Sequence, residues 1–183
     1  NPYKQFKRGP FRGLRLAFPT TTGGMDALIE ACRGNGADIV EEDEDVYVCS
    51  FMEQVPDGTT NVCSPFYIEE VIRQNVLLAP SHPLHRPCHI DPIDDAQRHI
   101  FSSTGFDVHD RKRVEAMVRL MGCAYTAFLS TANTALITSS ETPKNTTNTP
   151  KSAKTEKARQ WNIPIRSYEW LLQAFQTWKL APP

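Results

Sequence analysis

A chain of 183 residues with 40% apolar residues and three tryptophans has room for one large domain or two small ones, each with a real core. Twenty basic against 21 acidic side chains leave a formal net charge of −1, so any surface for a polyanion must be local. Five cysteines without a CxxC pair argue against a disulfide framework, and with no apolar run of about 18 residues and no signal-peptide pattern the chain is expected to be a soluble nuclear or cytosolic piece of a longer protein.

The first segment opens with "GLRLAF" (13–18), expected as a strand, then a helix over "GMDALIEACRGNG" (24–36). Short strands follow near "ADIV" and "VYVCSF", and a helix over "SPFYIEEVIRQNV" (64–76). The proline-rich stretch 77–97 has no apolar periodicity and reads as an extended linker. The second segment repeats the plan. "RHIFSST" (98–104) is an expected strand and "HDRKRVEAMVRLMG" (109–122) a helix, with Asp110 as N-cap, Val114, Met117, Val118 and Met121 on one face, and Gly122 as the stop. "AYTAFL" and "TALIT" (134–138) follow as strands, then a polar loop over 139–153, a helix over "KTEKARQW", a strand "IPI" and a helix "SYEWLLQAFQTW".

This is an α/β chain with an internal duplication, each copy a small parallel sheet flanked by helices. The copies differ in one interval: Gly36 to Tyr67 spans 31 residues and Gly122 to Trp170 spans 48, so the first copy is short by a helix and its loop. The division expected is a first repeat at 10–80, a linker at 81–97 and a second repeat at 98–183.

The segment "SSTGFDVHDR" (102–111) ends a strand with a small hydroxyl, a glycine that leaves a backbone N–H accessible and, seven residues after Thr104, an arginine. Those are the donors an oxyanion needs. "STGF", "VRLMGCAYTAFLS", "NTALI", "KTEKARQWNIPI" and the tryptophan of "SYEWL" together resemble the second member of a tandem BRCT module, and "GLRLAF", "CRGNGADI" and "SPFYIEEVI" resemble a degenerate first member that lacks its second helix. Ala135 stands where the family usually has histidine. The pattern is most similar to the fourth and fifth repeats of the topoisomerase II-binding protein family of checkpoint and replication scaffolds, with the Pax-interacting scaffold a near second.

That resemblance implies two repeats, each a small four-stranded parallel sheet flanked by helices, and a pocket for a phosphorylated peptide made by Thr104, Gly105, Arg111 and Lys154, with Ser103, Lys157 and Trp161 along the peptide groove. A phosphoryl group carries close to two negative charges and three acceptor oxygens, and both cations fall near helix starts, where the helix dipole adds to the attraction. Read without the resemblance, Thr104 and Gly105 also fit a plain strand-to-helix turn, and Arg111 and Lys154 fit solvated charges, with Lys151 and Lys157 as neighbours. In the first copy Phe18 and Pro19 occupy the positions of the hydroxyl and glycine; Thr20, Thr21 and Thr22 offer hydroxyls without a paired cation.

Other constellations carry less. His82, His85, Cys88 and His89 have a loosely zinc-like spacing but lack paired cysteines, and the acidic run 41–45 reads as a solvated turn. Neither a Gly-rich nucleotide loop nor a nucleophile elbow is visible, so neither enzyme activity nor a cofactor or metal is expected. By resemblance, the expected role is a nuclear, chromatin-associated scaffold that binds phosphorylated checkpoint or repair mediators, without a membrane. The alternatives are a phosphate-independent interaction or dimerisation module, and binding of 5′-phosphorylated DNA ends.

Overall fold

The computed structural model describes residues 9–19, 24–51, 53, 55–87, 91–139 and 152–180. The chain divides into two units, Asn1–Ile90 and Asp91–Pro183, each with a four-stranded, all-parallel sheet.

The first unit runs β1 (Arg15–Ala17), α1 (Asp26–Gly34), β2 (Asp38–Ile39), β3 (Val46–Val48), β4 (Val62–Cys63) and α2 (Pro65–Gln74), with sheet order β2-β1-β3-β4. Pro65 sits at the start of α2, where its missing N–H costs nothing, and Asn75 closes the helix in a left-handed conformation (φ 53). Leu16, Cys32, Val48, Cys63, Ile68 and Val71 form the core between sheet and helices. Among the described residues no helix lies between β3 and β4, in keeping with the short interval. β4 itself spans two residues, too few to register as an alternating pattern in the sequence.

Within the stretch read as an extended linker the structure has two 3-10 turns, Pro83–His85 and Ala96–Arg98. The first is packed into the first unit. Leu84 is fully buried, Ser64 N–H donates to the His85 carbonyl at 2.9 Å, and the Ser64 hydroxyl bonds the Leu84 carbonyl. The second turn belongs to the second unit, where Ala96 is buried against Gly122.

The second unit runs β5 (Ile100–Thr104), α3 (Val108–Leu120), β6 (Ala124–Tyr125), β7 (Ala135–Thr138), α4 (Ala153–Gln160), β8 (Ile165–Ser167) and α5 (Tyr168–Thr177), with sheet order β6-β5-β7-β8. α3 buries Val114, Met117 and Val118 and ends at Gly122, whose φ of 87 and close approach to Pro92 leave no space for a Cβ. Its N-cap is Asp107, whose Oδ1 accepts from Asp110 N–H at 2.8 Å; Asp110 is therefore the third helical residue, not the cap expected. β6 stops at Tyr125, short of residue 129, because the chain turns away under Asn133. Its amide donates to Thr126 Oγ1 at 2.8 Å and its Oδ1 accepts from Ser130 N–H at 2.7 Å. Ile163, expected in a strand, closes α4 by donating to the Ala158 carbonyl at 2.8 Å, and β8 starts two residues later.

The two faces of β5 are sorted by its alternation. Phe101 meets the ring of Trp170 on α5 at 6.1 Å between centroids, and Ser103 meets Tyr125. Ser102 and Thr104 point the other way, toward α4.

Candidate functional site

The site grows from that second face of β5, where the strand ends. Thr104 is half-buried, and its hydroxyl lies 2.7 Å from the hydroxyl of Ser152. Ser152 is the N-cap of α4, its oxygen accepting from Lys154 N–H at 3.3 Å. Two hydroxyls facing each other share one proton between them, so the pair retains one O–H for a third acceptor. Gly105 follows at φ 82, a left-handed conformation natural to glycine, and turns the backbone out of the sheet; a Cβ there would meet the Ser139 hydroxyl at 2.6 Å.

Lys154, one residue into α4, folds its side chain onto the sheet. Its ammonium donates to the Ser103 carbonyl at 2.9 Å, the Ser102 hydroxyl at 3.2 Å and the Ala127 carbonyl at 2.6 Å. These three oxygens are neutral, and burial together with the nearby Arg111 guanidinium holds the Lys154 ammonium below the usual lysine range. Arg111 is exposed on the first turn of α3 and donates to the Phe106 carbonyl at 3.2 Å. Among the described residues neither cation has a carboxylate within salt-bridge distance. Two neighbouring positive charges with neutral partners raise the local potential and favour an anion.

The structure thus brings Thr104, Gly105, Arg111 and Lys154 to one end of the second sheet. It removes Ser103 from the groove: the residue is 3% exposed, with its hydroxyl 2.7 Å from that of Tyr125 on the opposite face, and only its carbonyl reaches Lys154. Period-two alternation separates it from Thr104. Lys157 and Trp161 lie further along α4 and at its C-cap. Trp161 is 37% exposed, and the Lys157 ammonium stands 5.9 Å from its ring centroid, a cation–π distance that occupies part of the indole face. Sequence reasoning missed Ser152 and Ser102. Ser-x-Lys at a helix start was the available signal for Ser152, since serine is a preferred N-cap; nothing distinguished Ser102 from its neighbours.

In the first unit β1 ends with Ala17 followed by half-buried Phe18 and Pro19, and Thr20 to Thr22 lie outside the described residues. Cys88, His89 and Lys151 also lie outside them, and no group of three or more His, Cys, Asp or Glu among the described residues is arranged to hold a metal. The four described cysteines are buried free thiols. Burial pushes Cys32 and Cys63 up to about 12 and Cys123 up to about 11, which keeps these three from acting as thiolate nucleophiles at neutral pH. No helix among the described residues is long and apolar enough to cross a membrane.

Residues 96–175 match the family model of the BRCA1 C Terminus (BRCT) domain. The pair of four-stranded parallel sheets flanked by helices is a tandem BRCT fold, matching the crystal structure of S. pombe Rad4 BRCT3,4 with a TM-score of 0.76 at 18% identity, over 94% of this chain and 95% of that one. Yeast Rtt107 matches with a TM-score of 0.72 at 15% identity, over 95% of this chain and 43% of that one. Among curated relatives, PAX-interacting protein 1 of Mus musculus is 33% identical over 106 residues, covering 57% of this chain and 9% of the relative. PAX-interacting protein 1 of Danio rerio is 32% identical over 123 residues, covering 67% of this chain and 12% of the relative. The matched part spans about a tenth of the length of these relatives.

Proposed function

We propose that this chain is a non-catalytic scaffold module whose second unit binds a phosphoserine or phosphothreonine peptide, in DNA-damage checkpoint or replication control in the nucleus. The observation that carries the reading is Lys154 beside Arg111 at the end of β5, two cations with neutral partners next to a hydroxyl pair. A phosphate oxygen that replaces the exposed carbonyl of Ala127 on Lys154 exchanges a neutral acceptor for a charged one, and charge-assisted hydrogen bonds are roughly twice as strong. Arg111 supplies a planar fork for two further oxygens, and Gly105 lets the peptide backbone approach closely. The unphosphorylated hydroxyl offers neither charge, which makes phosphorylation the switch. The BRCT match over residues 96–175 and the likeness to scaffold proteins support the cellular setting, with kinase-modified mediators of repair or checkpoint signalling as partners.

The test is fluorescence anisotropy with a labelled phosphothreonine peptide library and its unphosphorylated counterpart, on the wild type and on Lys154→Glu. Binding that requires the phosphate and is lost in the variant supports the reading. Equal binding of both peptide forms means an interaction module indifferent to phosphate. Selective, steeply salt-dependent capture of 5′-phosphorylated duplex means a DNA-end binder.

A further inference from the structure

Lys154 is the one half-buried lysine among the described residues; Lys112, Lys157 and Lys179 are exposed. Its three hydrogen bonds differ in depth. Those to the Ser102 hydroxyl and the Ser103 carbonyl reach residues 0% and 3% exposed, whereas the bond to the Ala127 carbonyl at 2.6 Å lies at the surface. A neutral amine keeps two hydrogens and gains a lone pair. The two hydrogens satisfy the deeper oxygens, which have no access to water, so the proton given up is the one on Ala127 and the lone pair takes its outward direction. Burial and the Arg111 guanidinium both favour this neutral form, and among the described residues no carboxylate lies within salt-bridge distance to oppose them. A desolvated lysine beside a second cation is the setting that turns an ammonium into a nucleophile.

We propose that Lys154 is a modification site, acylated by an acyl phosphate that the anion site itself attracts, and that the acyl group switches the site off. The inference rests on the anion-binding reading of the site and adds a covalent regulation to it. The Lys154 amine attacks the acyl carbon. A C–N bond forms, the C–O bond to the phosphate breaks with its electron pair leaving on inorganic phosphate, and that phosphate takes the proton the amine sheds. Arg111, charged throughout, draws the donor's phosphate to the same strand end, which raises the local concentration of the acyl group and steadies the charge growing on the leaving phosphate. The product is a neutral amide with a single N–H. It has lost the charge that an incoming phosphate would meet on Lys154.

The experiment treats the 183-residue chain with acetyl phosphate and, separately, with the uncharged N-hydroxysuccinimidyl acetate, and follows each lysine by site-resolved mass spectrometry. With acetyl phosphate, Lys154 is expected to acetylate ahead of Lys112, Lys157 and Lys179, and Arg111→Gln is expected to remove that lead. With the uncharged ester the lead is expected to be smaller. A phosphothreonine peptide at about ten times its Kd leaves about one site in eleven free, so it is expected to slow acetylation of Lys154 about tenfold and to leave Lys179 unchanged. The chain acetylated at Lys154 by genetic code expansion is expected to lose at least about tenfold in affinity for that peptide. Acetylation of Lys154 no faster than that of the exposed lysines overturns the proposal, whether or not the peptide binds. So does a lead that survives Arg111→Gln or is as large with the uncharged ester, and so does peptide binding undiminished by acetylation at Lys154. Selective acetylation of Lys154 in a chain that binds no phosphopeptide upholds the modification site and overturns the peptide reading.

Discussion

The hydroxyls of Thr104 and Ser152 stand 2.7 Å apart, although 48 residues separate them in the chain. That contact ties the end of β5 to the N-cap of α4, the helix that carries Lys154, and sets the lysine against the sheet. Thr104→Val keeps the β-branched shape and removes the hydroxyl. It is expected to cost about 1 kcal/mol of stability, and to weaken phosphopeptide binding at least about tenfold if a phosphate-bound hydrogen bond of about 1.5–3 kcal/mol is lost. Ser152→Ala removes the cap as well and is expected to destabilise the second unit by about 1 kcal/mol. Urea denaturation gives the first quantity and anisotropy the second; Thr104→Val binding as tightly as the wild type would remove that hydroxyl from the site.

Two glycines with positive φ respond differently to a methyl group. At Gly105 the added Cβ meets the end of the exposed Ser139 side chain, which can rotate away, so Gly105→Ala pays mainly for the left-handed backbone, about 1–2 kcal/mol. At Gly122 the Cβ meets Pro92 at 2.5 Å and Ala96 at 3.2 Å, neither of which has a side chain that can swing aside. Gly122→Ala is expected to lower the thermal midpoint further than Gly105→Ala does, while Gly105→Ala is expected to reduce phosphopeptide affinity with the fold intact. Calorimetry and anisotropy on both variants check the ordering; equal losses of stability at the two positions would contradict the packing described for Gly122.

How much of this was legible in the residues differs by level. The two sheets and the missing helix of the first copy followed from strand and helix periods and from the shorter interval, whereas the pairing of Thr104 with Lys154 came from the BRCT resemblance, within which "WNIPI" sets the register of α4. Ser103, expected in the groove beside Thr104, is turned by strand alternation to the opposite face, where its hydroxyl meets that of Tyr125. Ser152 was hidden at the end of a stretch rich in hydroxyls, where only a long-range partner marks one serine from another. Phe128 read as part of a strand, since an apolar residue beside "AYT" continues the pattern; the turn that exposes it depends on Asn133, five residues on. The turn at Pro83–His85 carries no periodic signal because its order comes from Ser64, about twenty residues earlier.

That turn makes the first unit sensitive to acid. His82 Nδ1 accepts from Leu84 N–H at 3.1 Å, and His85 Nδ1 accepts from His82 N–H at 3.2 Å, so protonating either ring nitrogen breaks a bond that holds the turn. Burial, with a smaller contribution from His85, brings His82 down to about 4, and burial also lowers His85. A histidine depressed in the folded state binds its proton first in the unfolded chain, so its contribution is complete above about 6.5 and is lost as pH falls toward about 4. Thermal unfolding of the first unit is expected to shift downward across that window, and His82→Asn, whose amide oxygen can accept from Leu84 N–H without titrating, is expected to flatten the shift. An unchanged pH profile in that variant would place the acid sensitivity elsewhere.

The pH dependence of ligand binding has a separate origin in Lys154. Phosphothreonine gains its second charge near pH 6, so affinity is expected to rise as pH passes through about 6. On the alkaline side the sign reverses. Burial and Arg111 lower the Lys154 ammonium from its ordinary 10.5, and a bound phosphate restores the charged form, so binding is coupled to proton uptake wherever free Lys154 is partly neutral. Affinity is therefore expected to fall at a pH below the ordinary lysine value. The same depression makes Lys154 a destabilising charge in the unliganded fold below its lowered pKa, a cost that disappears as pH rises through the folded and then the unfolded value, so stability and affinity move in opposite directions with alkaline pH. Lys154→Arg, charged throughout, is expected to keep binding across that range while losing affinity near neutrality, because a planar fork cannot reproduce the three contacts at 2.6–3.2 Å that position the ammonium. Isothermal titration calorimetry between pH 5 and about 10, in two buffers of different ionisation enthalpy, measures the proton uptake directly. A wild-type alkaline limb that coincides with that of Lys154→Arg would show that Lys154 does not hold the ligand.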